Sequence, residues 1–151
     1  MSDLPRHQLS MTVLMMPEMA NFSGNVHGGQ LLKLLDEAAY ACASRYAGAY
    51  VVTLSVDQVL FKQPIHVGEL VTFRASVNYT GHTSMEIGIR VEAENIRTRT
   101  VRHTNSCYFT MVALGDDGKP TAIPPLVPAD DAETARWRAA ESRRQRRLKH
   151  G

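Results

Sequence analysis

Cysteine is almost absent: Cys42 and Cys107 are the only two in 151 residues. Both sit among apolar neighbours, and neither falls in a Cys-x-x-Cys or other metal-type spacing. That excludes a disulfide scaffold and a structural zinc site, and two reduced core thiols are the expectation. No apolar run approaches the roughly 20 residues that cross a bilayer, so no membrane span is expected. The opening Met1-Ser2-Asp3-Leu4-Pro5-Arg6-His7-Gln8 has no basic stretch leading into an apolar core. No secretory signal is read there, and a cytoplasmic protein is expected. An excess of one charge is also missing, since the net charge is +2. What basic surplus exists is crowded into Arg136, Arg138, Arg143, Arg144, Arg146, Arg147 and Lys149, so nucleic-acid binding by the body of the chain is not suggested. Internal repeats and low-complexity linkers are lacking too.

What remains is a chain of ordinary apolar content, 44%, long enough to bury a core unaided. Leu9 to Met16 reads as a first strand. From Gly29, residues Leu31, Leu32, Leu34, Leu35, Ala38, Ala39, Cys42 and Ala43 recur at three- and four-residue spacing, which predicts a helix ending near Tyr46, before Gly48. The period then changes to two. Val52, Leu54, Val56 and Leu60 alternate with polar residues, as do Val71, Phe73, Ala75, Val77 and Tyr79, and then Met85, Ile87, Ile89, Val91 and Ala93. A last strand, about Val101 to Leu114, places Val101, Cys107, Phe109, Met111 and Ala113 on one face. Breaks at Gly81-His82, Asn95 to Thr100 and Gly115 to Gly118 suit hairpins and loops, favouring antiparallel pairing. One long helix and about five strands predict an α+β fold, a curved antiparallel sheet wrapped around a central helix. Proline-rich Thr121 to Pro128 predicts an extended strap, and residues 129–151 an Arg-rich helical tail capped by Asp130 or Asp131. The boundaries are one domain over 1–128 and the tail over 129–151. For the tail, a solvated or oligomer-contact helix is preferred to a clamp for phosphates.

Chemistry concentrates between Asn21 and Asp36. A helix beginning at Gly28-Gly29 offers unpaired amide donors and partial positive charge, and the two glycines allow close approach of a carbonyl oxygen. Asp36 lies two turns down that helix, on the order of 10 Å from its start at 1.5 Å per residue. Asn21 precedes the helix. If Asn21 and Asp36 serve one centre, they come from two subunits. Ser23 has no detectable His-Asp arrangement around it, so a serine triad is not read.

The run Ala20-Asn-Phe-Ser-Gly-Asn-Val-His-Gly-Gly29, then Leu-Leu-x-Leu-Leu-Asp-Glu-Ala-Ala39, Ser55-Val-Asp-Gln-Val-x-Phe61 and Pro64-Ile-His-Val-Gly68, closely resembles hotdog-fold acyl-CoA thioesterases. The branch is that of bacterial acyl-CoA hydrolases and the cytosolic brain-type enzyme. The likeness runs from about Met11 to Pro128. It implies a homo-oligomer, at least a dimer and by family habit a hexamer built as a trimer of dimers, that hydrolyses acyl-CoA in a site shared by two subunits. It implies no cofactor and no metal, CoA being part of substrate and product. In the family the loop asparagine and the helix acid are the catalytic pair, matching Asn21 and Asp36, with the Gly28 and Gly29 amides stabilising the oxyanion. Asp36 then acts as general base or as nucleophile. His27 is assigned to positioning. Ser55, Val56 and Asp57, with the Gly81-His82-Thr83-Ser84 connection, are implied to line the CoA path, and Arg90 is a phosphate candidate on charge alone. A non-catalytic acyl-CoA-binding regulator is the alternative, and a dehydratase using His27 with Asp36 ranks last. Met15, Leu35, Tyr40 and Phe61 are candidates for shaping an acyl tunnel, although apolar residues there also suit ordinary core.

Overall fold

The computed structural model describes residues 4–150. The elements run β1 (Gln8–Leu14), a short 3₁₀ turn (Pro17–Met19), α1 (Gly28–Ala47), β2 (Tyr50–Asp57), β3 (Leu70–Thr80), β4 (Ser84–Asn95), β5 (Thr100–Leu114) and α2 (Asp131–His150). The strands form one sheet in the order β1-β3-β4-β5-β2, with every neighbouring pair antiparallel. Helix α1 contacts all five strands. It buries Leu31, Leu34, Leu35, Ala38, Ala39, Cys42 and Ala43, the stripe its three- and four-residue spacing predicts. Gly48, at φ 65°, ends it in the left-handed conformation, donating its N–H to Ser44 O at 2.8 Å, a conformation glycine adopts without a Cβ penalty. This is the hotdog fold: a sheet wrapped around one long helix.

The inward face of β4, Met85, Ile87, Ile89, Val91 and Ala93, is buried as its alternation predicts. Three other alternations need correction. In β2, Val52, Leu54 and Val56 are exposed while Val51 is buried, and Leu60 lies beyond the strand. The pairing register shifts between Thr53 and Ser55, so Val52 lies opposite Val112 while Val56 comes opposite the buried Phe109, and both stay uncovered because β2 is the edge strand. In β3 the pairing register shifts between Val77 and Tyr79. An irregularity of this kind adds a residue and reverses the alternation, so Asn78 is buried and Tyr79 faces outward, its ring 4.4 Å from that of Trp137. In β5 the partner register skips Thr104. Thr104 is buried and Val101 is turned out to solvent.

Helix α2 is docked rather than free. Asp130 Oδ1 accepts from Glu133 N at 2.8 Å, and Glu133 Oε1 accepts from Ala129 N at 3.1 Å, a reciprocal arrangement close to a capping box. From there the helix crosses the convex face of the sheet. Glu133 meets His7 Nε2 at 3.1 Å beside β1, Trp137 covers Tyr79 of β3, and Arg143 forms two hydrogen bonds, 2.7 and 2.8 Å, to Glu86 of β4. The Arg143 guanidinium also lies 3.6 Å over the Tyr108 ring of β5, and Arg147 reaches Asp57 of β2 at 3.5 Å. The strap between β5 and α2 buries Ile123 and Leu126, and Leu126 N donates to Thr80 Oγ1 at 2.9 Å.

Both thiols are buried and free. Burial pushes the Cys42 and Cys107 thiols up to about 12, Arg45 opposing the effect slightly at Cys42. Only the thiolate reacts readily, and at pH 8 it is about one part in ten thousand of each. Folded protein is therefore expected to resist a maleimide at pH 8 and to take up two equivalents once denatured. Rapid labelling of the folded chain would contradict this burial.

Candidate active site

The loop that presents Asn21 is held by its own hydrogen bonds. Asn21 Oδ1 accepts from Ser23 N at 3.0 Å, Ser23 Oγ at 2.8 Å and Asn25 N at 3.1 Å. The carboxamide oxygen is thus spent on shaping the turn, which Gly24 closes at φ 83°. Its NH₂ group is left to donate outward. Behind the loop, Val26 N bonds Ile65 O, His27 N bonds Met19 O, and Asn25 Oδ1 meets His66 Nδ1 at 2.9 Å. These ties fix the approach to α1. Phe22, at the tip, is fully exposed.

His27 is the N-cap of α1, and its Nδ1 accepts from Gly29 N at 2.9 Å. This corrects the expectation that Gly28 and Gly29 offer two open amides. The Gly29 donor is consumed by the cap, and Gln30 and Leu31 N–H both turn to His27 O. Among the described residues only the Gly28 amide of this first turn has no partner in the chain. It is where the positive end of the helix is open. The Phe61 ring packs against the same glycine, 3.6 Å from where a Cβ would stand.

Asp36 is exposed on the outer side of α1, and its Oδ1 accepts from Thr53 Oγ1 at 2.7 Å. Thr53 is on β2, so the carboxylate is oriented by the edge strand. The second carboxylate oxygen is left for another partner. Thr53 escaped the sequence reading. Its one signal is being the hydroxyl between Val52 and Leu54 in an apolar run. No hydrogen bond joins Asn21 to Asp36, each being held by separate partners.

The remaining predicted binding residues fall in two places. Ser55, Val56 and Asp57 follow Thr53 along β2. Ser55 Oγ is buried without a partner, Val56 is exposed and Asp57 is paired with Arg147. The Gly81–Ser84 turn lies at the same end of the sheet, since Met85 pairs with Met111 and Met111 with Thr53. At about 4.8 Å per strand, that row places Met85 roughly 10 Å from Thr53. His82 O accepts from Ile123 N, and Thr83 O from Ala113 N, so the turn is braced by the strap and by β5. Arg90 stands apart. It is exposed on the convex face, paired across the sheet with Arg74 and bonded to Glu92 at 3.4 Å. The structure does not bring it to Asp36.

Residues 23–100 match the model of the Thioesterase superfamily. The chain is 51% identical over 144 residues to Protein VdlD of Helicobacter pylori, covering 95% of this chain and 82% of that one. Among solved structures, an acyl-CoA hydrolase of Staphylococcus aureus in complex with butyryl coenzyme A, coenzyme A and coenzyme A disulfide superposes with a TM-score of 0.88 at 32% identity. The match covers 96% of this chain and 88% of that one. An apo-hexameric acyl-CoA thioesterase superposes with a TM-score of 0.91 at 34% identity, covering 96% and 93%. Alanine variants of the S. aureus enzyme at an aspartate, an asparagine and a threonine have also been solved. Fold and sequence agree, and the chain belongs to the hotdog-fold acyl-CoA thioesterases.

Proposed function

We propose that this chain hydrolyses acyl-CoA to a carboxylic acid and CoA in a site completed by two copies of itself, Asn21 and the Gly28 amide coming from one and Asp36 with Thr53 from the other. The observation that carries the reading is the Asp36–Thr53 pair on an edge strand whose exposed side is apolar. Val52, Leu54 and Val56 lie uncovered beside it, with Tyr50 at the strand's start. An exposed apolar edge is a template for a further strand. A second copy placed there covers the row and gives Phe22 a surface to pack against. The hexameric assembly of a similar thioesterase supports this, and a trimer of dimers is the corresponding form. The aspartate, asparagine and threonine replaced in the S. aureus hydrolase are spaced along that chain as Asn21, Asp36 and Thr53 are spaced here.

The chemistry follows from the groups. The thioester oxygen is received by the Gly28 N–H, which strengthens as negative charge grows on that oxygen. Thr53 fixes one oxygen of Asp36, so the other faces the reacting carbon. As a base, Asp36 takes a proton from water while the water oxygen bonds the acyl carbon. As a nucleophile, it forms an anhydride that water then opens. In both routes the C–S bond breaks and CoA leaves as thiolate. Asn21 NH₂ donates to the water or the thioester, and His27 holds the helix start in register. Ser55 to Asp57 and the Gly81–Ser84 turn supply the nearer candidates for the CoA path; Arg90 requires a ligand reaching the convex face.

Purified protein is expected to release thiol from acyl-CoA substrates. Mixing inactive Asn21→Ala and Asp36→Ala subunits is expected to restore activity, because one of the two sites in each mixed dimer regains both residues, about a quarter of all sites after random 1:1 exchange. Mixed dimers verified by mass that stay inactive would refute the shared site. Tight acyl-CoA binding without turnover would favour the regulatory alternative.

A further inference from the structure

Between the N-terminal half of α1 and the start of β3 lies a narrow space whose apolar lining is Leu31, Leu35, Phe61, Ile65, Phe73 and Val91, with Gln63, Thr104 and Asn105 as its polar residues. Its free volume is about 10 Å³, at most the room for one water. At the far side is Asn105, whose Nδ2 is buried with no hydrogen-bond partner. An unpaired buried donor in such a space is costly. Phe61 is the only large side chain that both lines this space and touches Gly28.

The segment bearing Phe61 is pinned at one end and loose at the other. Arg102 donates from Nη1 to Gln63 Oε1 at 3.0 Å, and from Nη2 to Pro64 O at 2.7 Å and Glu69 Oε1 at 2.8 Å. Glu69 Oε1 in turn accepts from His66 N at 2.7 Å. These bonds fix residues 63–69. Residues 59–62 show no hydrogen bond among the described residues, and Gln58 before them adopts φ 61°, a conformation disfavoured for a residue with a Cβ. Phe61 itself is about half exposed. A ring on an unbonded stretch, beside a strained residue and against a pinned segment, is set to swing outward.

We infer that this space is the acyl pocket and that Phe61 is its gate: the ring swings out as the chain enters beside Gly28, and the chain takes the ring's place between α1 and the sheet. The inference rests on acyl-CoA hydrolysis at the Gly28 amide. The pocket admits a ring's worth of carbon before meeting the Asn105 amide, so Phe61 and Asn105 together cap the chain length. Of the four tunnel candidates in the sequence, only Leu35 and Phe61 line this space. Met15 is buried elsewhere in the core, and Tyr40 lies against a different surface depression.

The test measures affinity for non-hydrolysable acyl-CoA thioethers of increasing chain length, by calorimetry, in the wild-type oligomer and in Phe61→Ala, Phe61→Trp and Asn105→Ala variants whose melting and assembly match wild type. Each seated methylene strengthens binding by about fourfold, the equivalent of about 0.8 kcal/mol per buried CH₂, until the pocket is full. The length at which this gain stops is expected to move to longer chains in Phe61→Ala and Asn105→Ala and to shorter ones in Phe61→Trp. The same break point in all four proteins would overturn the inference. Because the readout is binding, it decides the matter even if no acyl-CoA is turned over, and failure of turnover counts against the hydrolase reading alone.

Discussion

Asp36→Ala is expected to lower kcat for acyl-CoA hydrolysis by about 10²- to 10⁴-fold, the range spanned by a lost general base. The fall belongs in kcat rather than KM, since the role proposed for Asp36 is at the reacting atoms and not at the nucleotide. Its fold cost is small. The side chain is exposed and its one partner, Thr53, is exposed as well, so the melting temperature is expected to stay within a few degrees of wild type. Thr53→Val separates position from chemistry. It leaves the carboxylate but removes the 2.7 Å hydrogen bond that orients it, and a bond to a charged acceptor contributes about 1.5–3 kcal/mol, roughly ten- to a hundredfold in rate. Thr53→Ser, which keeps the hydroxyl, should recover most of that. Steady-state kinetics on one short acyl-CoA reads all three, and full activity in Asp36→Ala would end the assignment. Single turnover in ¹⁸O-labelled water tests the nucleophilic route: label in Asp36 after turnover marks an anhydride opened at the Asp36 carbonyl, whereas label in the product alone arises from the activated water or from an anhydride opened at the acyl carbon.

Arg143→Ala should be the most destabilising single change in α2, at about 3–5 kcal/mol, the usual cost of removing one partner from a buried ion pair. The Arg143 and Glu86 side chains are only 11% and 6% exposed, and the guanidinium also covers Tyr108 at 3.6 Å. Burial disfavours the charge of Arg143, but hydrogen bonding to Glu86 and its negative charge outweigh this and hold the guanidinium above its usual range. Without Arg143, the Glu86 carboxylate keeps Asn78 Nδ2 at 3.3 Å, too little for a charge taken out of water. For a chain of this length the loss corresponds to a fall in Tm of about 10 °C. The double variant Glu86→Leu with Arg143→Met should be far less affected than the sum of its parts, because a well-packed apolar pair replaces a buried ionic one at little cost. Thermal melts of the four proteins close that cycle. An Arg143→Ala protein that melts like wild type would show α2 to be a passenger.

The sequence made the centre of the fold legible and left its periphery obscure, for reasons that differ by residue. Helix α1 and strand β4 touch a single core on one face each, so the periodicity of Leu31 to Ala43 and of Met85 to Ala93 maps directly onto burial. Strand β2 has the same alternation, but a register shift between Thr53 and Ser55 breaks it, and as the edge strand it leaves Val52, Leu54 and Val56 uncovered. Two further register shifts, at Asn78 and Thr104, reverse the inward face partway along β3 and β5. Nothing in the local composition marks them. The loop and helix pair, Asn21 with Asp36, was found through ordered motifs, whereas the Asp36–Thr53 bond spans 17 positions and exists only once β2 lies beside α1. His27 is a further case. The sequence assigns it to positioning but does not show how, and the geometry makes it the cap that closes the Gly29 amide. The charge of α2 likewise hid its docking, since Arg143 is held by Glu86, a residue made internal only by the helix that covers it.

That helix follows every strand in the chain, yet its contacts run from His7 beside β1 to Asp57 on β2. During synthesis from the N-terminus, which exposes elements in order, the sheet is complete before α2 arrives to cover its convex side. Until then Glu86 stands in water, fully hydrated, and Tyr79 and Tyr108 are bare. The closing of α2 is thus a late step in maturation, the chain supplying the cover of its own sheet last.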